Sequence, residues 1–218
     1  MPPTRRYSTE LRSAQTALTR RSILAAAGRL FVENGYLGTT LATVAAQAGV
    51  SVQTVYNVVG GKPAVLKAVY DATLAGDDEP VAMGDRPAFR AMAQASSGRE
   101  MLERYAELGR QLSERLLPLV TTLLAQAATG DPDLQAFAET IEGERAAGTA
   151  AVAQSVHKRF GLRDGLDTQD AADILWVLTA PDLADRLVNR RGWSWDKTQQ
   201  WLGSAMADAL LGPAAVRP

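Results

Sequence analysis

The 218-residue chain has no cysteine and one histidine, His157. Without thiols it can form no disulfide and offers no thiolate metal ligand. One imidazole cannot supply a histidine-based metal site, and the common nucleophile–base pairs lack their parts. Acidic residues are plentiful, but none forms the Glu-x-x-His pair of di-metal bundles. These absences argue against an enzyme and leave no cofactor to expect. Also missing is any apolar run near the ~20 residues that span a bilayer, and the first twenty residues hold no apolar signal core. The uncharged stretch 116–130 is short and contains threonines and Gln126, so it reads as a buried helix. A cytoplasmic protein without membrane contact is the expectation. Strand-type alternation is almost absent as well, and the fold class expected is all-α.

Net charge is nearly absent too, at −1, but the average conceals an asymmetry. Residues 1–62 carry seven basic residues (Arg5, Arg6, Arg12, Arg20, Arg21, Arg29, Lys62) against Glu10 and Glu33, a net of +5. The remainder carries −6. A positive head on a negative body favours phosphate at one end only, although a solvated tail would account for part of it.

What is present begins at Thr16. Ile23, Ala27, Leu30 and Phe31 recur at helical spacing up to Asn34-Gly35, and residues 1–15 read as a flexible tail. A second helix starts near Thr39 or Thr40, with Leu41, Val44, Ala45 and Ala48 on one face. Gly49 suits a left-handed helix exit, Val50 reads as an apolar plug, and Ser51 caps a short third helix. Val55 and Val59 should face inward, with Val52 partly covered. Gln53, Thr54, Tyr56 and Asn57 are left on a polar, uncharged outer face. Gln and Asn can read adenine edges, and Thr can donate to bases or phosphates. Val65, Leu66, Val69 and Tyr70 form a fourth stripe after Lys62-Pro63. Helix, tight turn and short helix is the unit that places its second helix in the major groove.

The string Gly35-Tyr36-x-x-Thr39-Thr40-x-x-x-Val44-Ala45-x-x-Ala48-Gly49-Val50-Ser51-x-x-Thr54-Val55-Tyr56, followed by Gly61-Lys62, resembles the N-terminal domain of the TetR family of transcriptional regulators. The resemblance covers roughly residues 18–75. It implies phosphate contacts by Tyr56 and Lys62, backbone contacts by Thr40 and Thr54, and base readout at Gln53. The chain departs from the family pattern at Val58 and Val59, where aromatic or basic residues are frequent, and at Pro63, where an acid is common.

After about Gly76 come turn-rich segments and then long helical patterns: 87–95, 98–129 with Pro118 inside, 132–160, a helix from Thr168 bent at Pro181, and a last one from Ser194 to Leu211. The domain expectation is a DNA-binding head at 16–76 and a helical body at 77–212. The 173–211 region resembles the C-terminal part of the same family more loosely. It implies a homodimer, a palindromic operator and a body that binds a small-molecule effector. Arg104, Tyr105, Gln111, Arg115 and Trp176 are candidate effector contacts, against the alternative of core packing and surface ion pairs. His157 reads as a surface residue. The expectation is a dimeric, nucleoid-associated repressor released by its effector. The alternatives are a helical small-molecule-binding protein or enzyme, and an activator or global regulator on the same scaffold.

Overall fold

In the first helix, α1 (Thr4–Gly38), the interval Ile23, Ala27, Leu30, Phe31 produces a fully buried stripe. The structure is a computed structural model that describes residues 4–79, 81–127 and 129–211, and every regular element among them is helical. The helix begins at Thr4, not near Thr16 as the sequence suggested. No glycine or proline interrupts residues 4–15, so nothing stops the helix extending backwards. Helical geometry lapses at Gly35 (φ 70°, ψ 174°). The positive φ selects glycine at this position.

Two compact units divide the chain: residues 1–79 with 118–137, and residues 80–117 with 138–218. The sequence reading drew one boundary near residue 76. The units instead interleave, because helix α6 (Gly98–Ala127) supplies residues to both.

In the first unit, α2 (Leu41–Ala48), α3 (Val52–Val58) and α4 (Lys62–Ala75) follow α1. Val44, Ala45, Val55, Val65, Leu66 and Val69 join the α1 stripe in one core. Each large aliphatic buried there contributes roughly 1.5–3 kcal/mol. From the corner segment, Leu119, Val120, Leu123, Leu134 and Phe137 are also buried, with Phe137 edge-on to Tyr70 at 5.4 Å. Val59 is only half-buried, because α3 ends one residue earlier and leaves it at the cap. Val52, expected to be partly covered, is 38% exposed.

The second unit contains α5 (Pro87–Ala93), the first part of α6, most of α7 (Pro132–Phe160), α8 (Thr168–Leu178), α9 (Pro181–Asp185) with a π-helical turn at Arg186–Arg190, and α10 (Trp195–Leu211). Helix α6 continues through Pro118. Met101, Leu102, Val156, Leu175, Met206 and Leu210 form the centre of this core. Gly203 lets α10 approach α6: a Cβ there would stand 3.2 Å from the Glu103 backbone.

Candidate nucleic-acid interface

The α2–α3 unit is fastened by its own short polar side chains. Thr40 caps α2 in a reciprocal box: its hydroxyl accepts from the Thr43 N–H, and its own N–H donates to the Thr43 hydroxyl, each at 3.1 Å. Gly49 ends α2 in the left-handed conformation (φ 69°, ψ 31°). Ser51 Oγ accepts from the Thr54 N–H at 3.0 Å and lies 2.8 Å from the Thr54 hydroxyl. The Thr40 and Ser51 caps satisfy first-turn backbone donors that helices of eight and seven residues leave without an internal partner. Val55, with no exposed surface, pins α3 to the core.

The opposite side of α3 is open. Gln53 and Asn57 are exposed, Tyr56 is 53% exposed, and Thr54 is half-buried. The Gln53 amide donates to the Asn57 side-chain carbonyl at 2.9 Å. Thr40 is exposed at the head of α2. Residues 39–61 contain no Asp, Glu, Lys, Arg or His, so this surface is neutral from end to end.

Lys62 takes a different position from that of a freely extended phosphate ligand. Its ammonium lies 4.1 Å from the centroid of the Tyr36 ring. Burial lowers its pKa, while Asp131 and Asp133 pull in the other direction. Tyr36 is itself buried, and its hydroxyl donates to Asp133 at 2.7 Å. Burial, reinforced by that carboxylate, holds the phenol far above its ordinary range. Beside it, the Leu37 N–H donates to the Gln126 side-chain carbonyl at 3.2 Å. The corner between α6 and α7 thus fastens the α1–α2 junction. Sequence reasoning placed Tyr36 in the motif but assigned it no role, since its partner lies 97 residues away.

The basic excess of the head is partly spent internally. Arg20 pairs with Asp78 at 3.0 Å and Arg21 with Glu79 at 2.5 Å. Arg29 is exposed. The side chains of Arg5, Arg6 and Arg12 lie outside the described residues.

The five candidate effector contacts in the body differ in their surroundings. Arg104 donates to Glu100 at 2.6 Å and to the Ala91 carbonyl at 2.5 Å. Tyr105 packs against the body core, where burial raises its pKa against the opposing effects of Thr179 and Arg145. Gln111 and Arg115 are exposed, with Arg115 donating to the Gln111 carbonyl. Trp176 is 39% exposed, and its carbonyl accepts from Arg145. Arg145 was not anticipated: it holds Glu142 through two bonds of 2.7–2.8 Å and lies 5.4 Å from the Trp176 ring. The only sequence signal for it is its three-residue spacing from Glu142.

Residues 23–69 match the family model described as bacterial regulatory proteins, tetR family. No curated protein sequence matches the chain. Among solved structures, one from Rhodococcus sp. assigned to the TetR-family transcriptional regulators superposes with a TM-score of 0.67 at 19% identity, covering 88% of this chain and 98% of that one. A protein of Saccharomonospora viridis in complex with choline gives 0.60 at 21% identity, covering 88% and 96%. A SmeT–triclosan complex gives 0.66 at 20% identity, covering 92% and 99%. Likeness at this identity establishes a shared fold, while the head is matched by sequence as well. Residues 23–69 thus match the tetR family of bacterial regulatory proteins, and the chain shares the all-helical fold of the solved structures on which it superposes.

Proposed function

We propose that the protein is a dimeric transcriptional repressor that binds a palindromic operator and leaves it when a small molecule occupies its body. The observation that carries this reading is the outer face of α3. It is exposed, capped at its N-terminus and free of charge, and it presents Gln53 and Asn57 side by side. Such a face suits base edges in the major groove. In this reading Thr40, Thr54, Tyr56 and Lys62 position the head on phosphates, with Lys62 leaving the Tyr36 ring to do so.

A two-fold dimer is supported by apolar surface that the isolated chain leaves uncovered, Trp176 and Val177 on α8 and Trp201 on α10. Two heads related by a two-fold axis match two half-sites. Effector control is supported by the choline and triclosan complexes of proteins sharing the fold. It requires an effector with different affinities for the bound and released states, a coupling of about 1–3 kcal/mol.

The test is a mobility shift with the DNA upstream of the protein's own coding region. A salt-sensitive, sequence-selective complex is expected at moderate ionic strength, and its absence overturns the reading. Lys62→Ala should weaken binding to all sequences and make the logarithmic salt slope shallower by about one. Light scattering showing a monomer on the operator would remove the dimer. If compounds that raise the melting temperature all leave DNA affinity unchanged, effector release fails.

A further inference from the structure

We infer that the half-site under α3 is built of A·T pairs, with adenine read by the Gln53–Asn57 amides and a thymine methyl read by Val52. The inference rests on the proposed DNA binding and goes beyond it to the chemistry of the ligand.

The commonest specific contact in the major groove is a guanidinium or ammonium held by guanine O6 and N7. The surface from Thr39 to Gly61 has no residue able to make it. What it offers is a pair of carboxamides. Gln53 uses one N–H on the Asn57 carbonyl. Its own carbonyl and second N–H remain, as do both N–H groups of Asn57. Gln53 therefore still presents a donor beside an acceptor, and Asn57 does so through its N–H groups and the second lone pair of its carbonyl. Adenine shows the complementary pattern, an N6–H donor beside the N7 acceptor. Guanine shows two acceptors, so one half of the amide would face it oxygen to oxygen. The mutual bond also removes rotamer freedom from both side chains before DNA arrives, which lowers the cost of ordering them. Four helical residues advance ~6 Å, so the pair covers a stretch of about two base-pair steps of ~3.4 Å each.

Val52 is the second observation. It is the first residue of α3, where recognition helices meet base edges, and it remains 38% exposed. Its neighbours Ser51 and Gln53 are exposed and polar. A branched apolar side chain at that place matches the one apolar group in the major groove, the C5-methyl of thymine.

The experiment is selection of binding duplexes from a random pool by the full chain, followed by atom-level substitution in the winner. A·T pairs at the α3 positions are expected. Replacing the key adenine with 7-deaza-adenine should weaken wild-type binding by at least fivefold and weaken binding by Gln53→Ala or Asn57→Ala much less. Replacing the key thymine with uracil should cost the wild type about fourfold, one buried methyl's worth, and should leave Val52→Ala unaffected. Selection of G·C at these positions, or a uracil penalty equal in wild type and Val52→Ala, overturns the inference while leaving DNA binding intact. A chain that enriches no sequence overturns the functional reading and this inference together.

Discussion

Head and body hold their polar side chains in opposite states of commitment. On α3 the amides of Gln53 and Asn57 bond each other and otherwise face solvent. In the body, Arg104 reaches the Ala91 carbonyl, Arg145 the Trp176 carbonyl and Arg159 the Ala95 carbonyl. These carbonyls lie at or just beyond the C-terminal turns of α5 and α8. The last carbonyls of a helix have no partner within it and carry partial negative charge. An arginine from a neighbouring helix satisfies both needs. The difference teaches that residue type is a poor guide to a binding site: an arginine in a helical body is often part of how the bundle closes, whereas the uncharged amides on the capped α3 stay open to solvent.

The contrast can be broken at several points. The largest effect should come from the body core. Leu175→Ala, at a fully buried position, should cost about 2–5 kcal/mol of stability in urea unfolding, without changing which operator bases are preferred. A shift in base preference would mean that the core also shapes the reading face.

Next is a pair of substitutions expected to separate cleanly. Gln53→Ala should lower affinity for the selected operator by about 1–3 kcal/mol and leave the unfolding midpoint almost unmoved. Arg104→Ala should do the reverse, lowering the midpoint with operator affinity preserved. If both behave alike, the distinction between open and committed groups is wrong.

Tyr36→Phe probes the corner. Loss of the bond to Asp133 should cost about 1–2 kcal/mol near neutrality. The pH dependence has a definite sign. The folded state holds the phenol protonated well above the point where the unfolded chain releases its proton, near pH 10. The contribution is therefore complete below pH ~10 and is lost as pH rises above it. Wild type should lose stability more steeply than Tyr36→Phe across that range; parallel curves would show that Tyr36 is not a source of the slope.

The smallest effect belongs to the ion pair between Asp78 and Arg20. Asp78→Asn breaks a partly exposed pair with Arg20 and should change stability by about 0–1 kcal/mol. It should nevertheless raise affinity for random-sequence DNA, because Arg20 becomes available to phosphate. Unchanged non-specific binding would place Arg20 off the DNA-facing side.

Much of the head was legible because its signals are local. Thr40, Gly49 and Ser51 act within four residues of themselves, and Val55 takes the inward position its helical spacing implies, although Val59, four residues on, is only half-buried. The helix breaks at Gly130-Asp131-Pro132 and at Pro181 were equally plain. The start of α1 was misjudged because polarity was read as a tail although nothing in residues 4–15 opposes a helix. The surroundings of Arg104 and Arg145 were not legible, because the carbonyls they bond are brought by neighbouring helices.

The sequence alone determined the helices, their caps and the uncharged outer face of α3, since each depends on side chains within a turn or two. The tertiary structure decided that Lys62 lies on Tyr36, that Asp133 and Gln126 fasten the α1–α2 junction, and that residues 118–137 pack with the head. The bonds of Tyr36 to Asp133 and of Leu37 to Gln126 join positions 97 and 89 residues apart, and no periodicity or propensity encodes which distant groups meet.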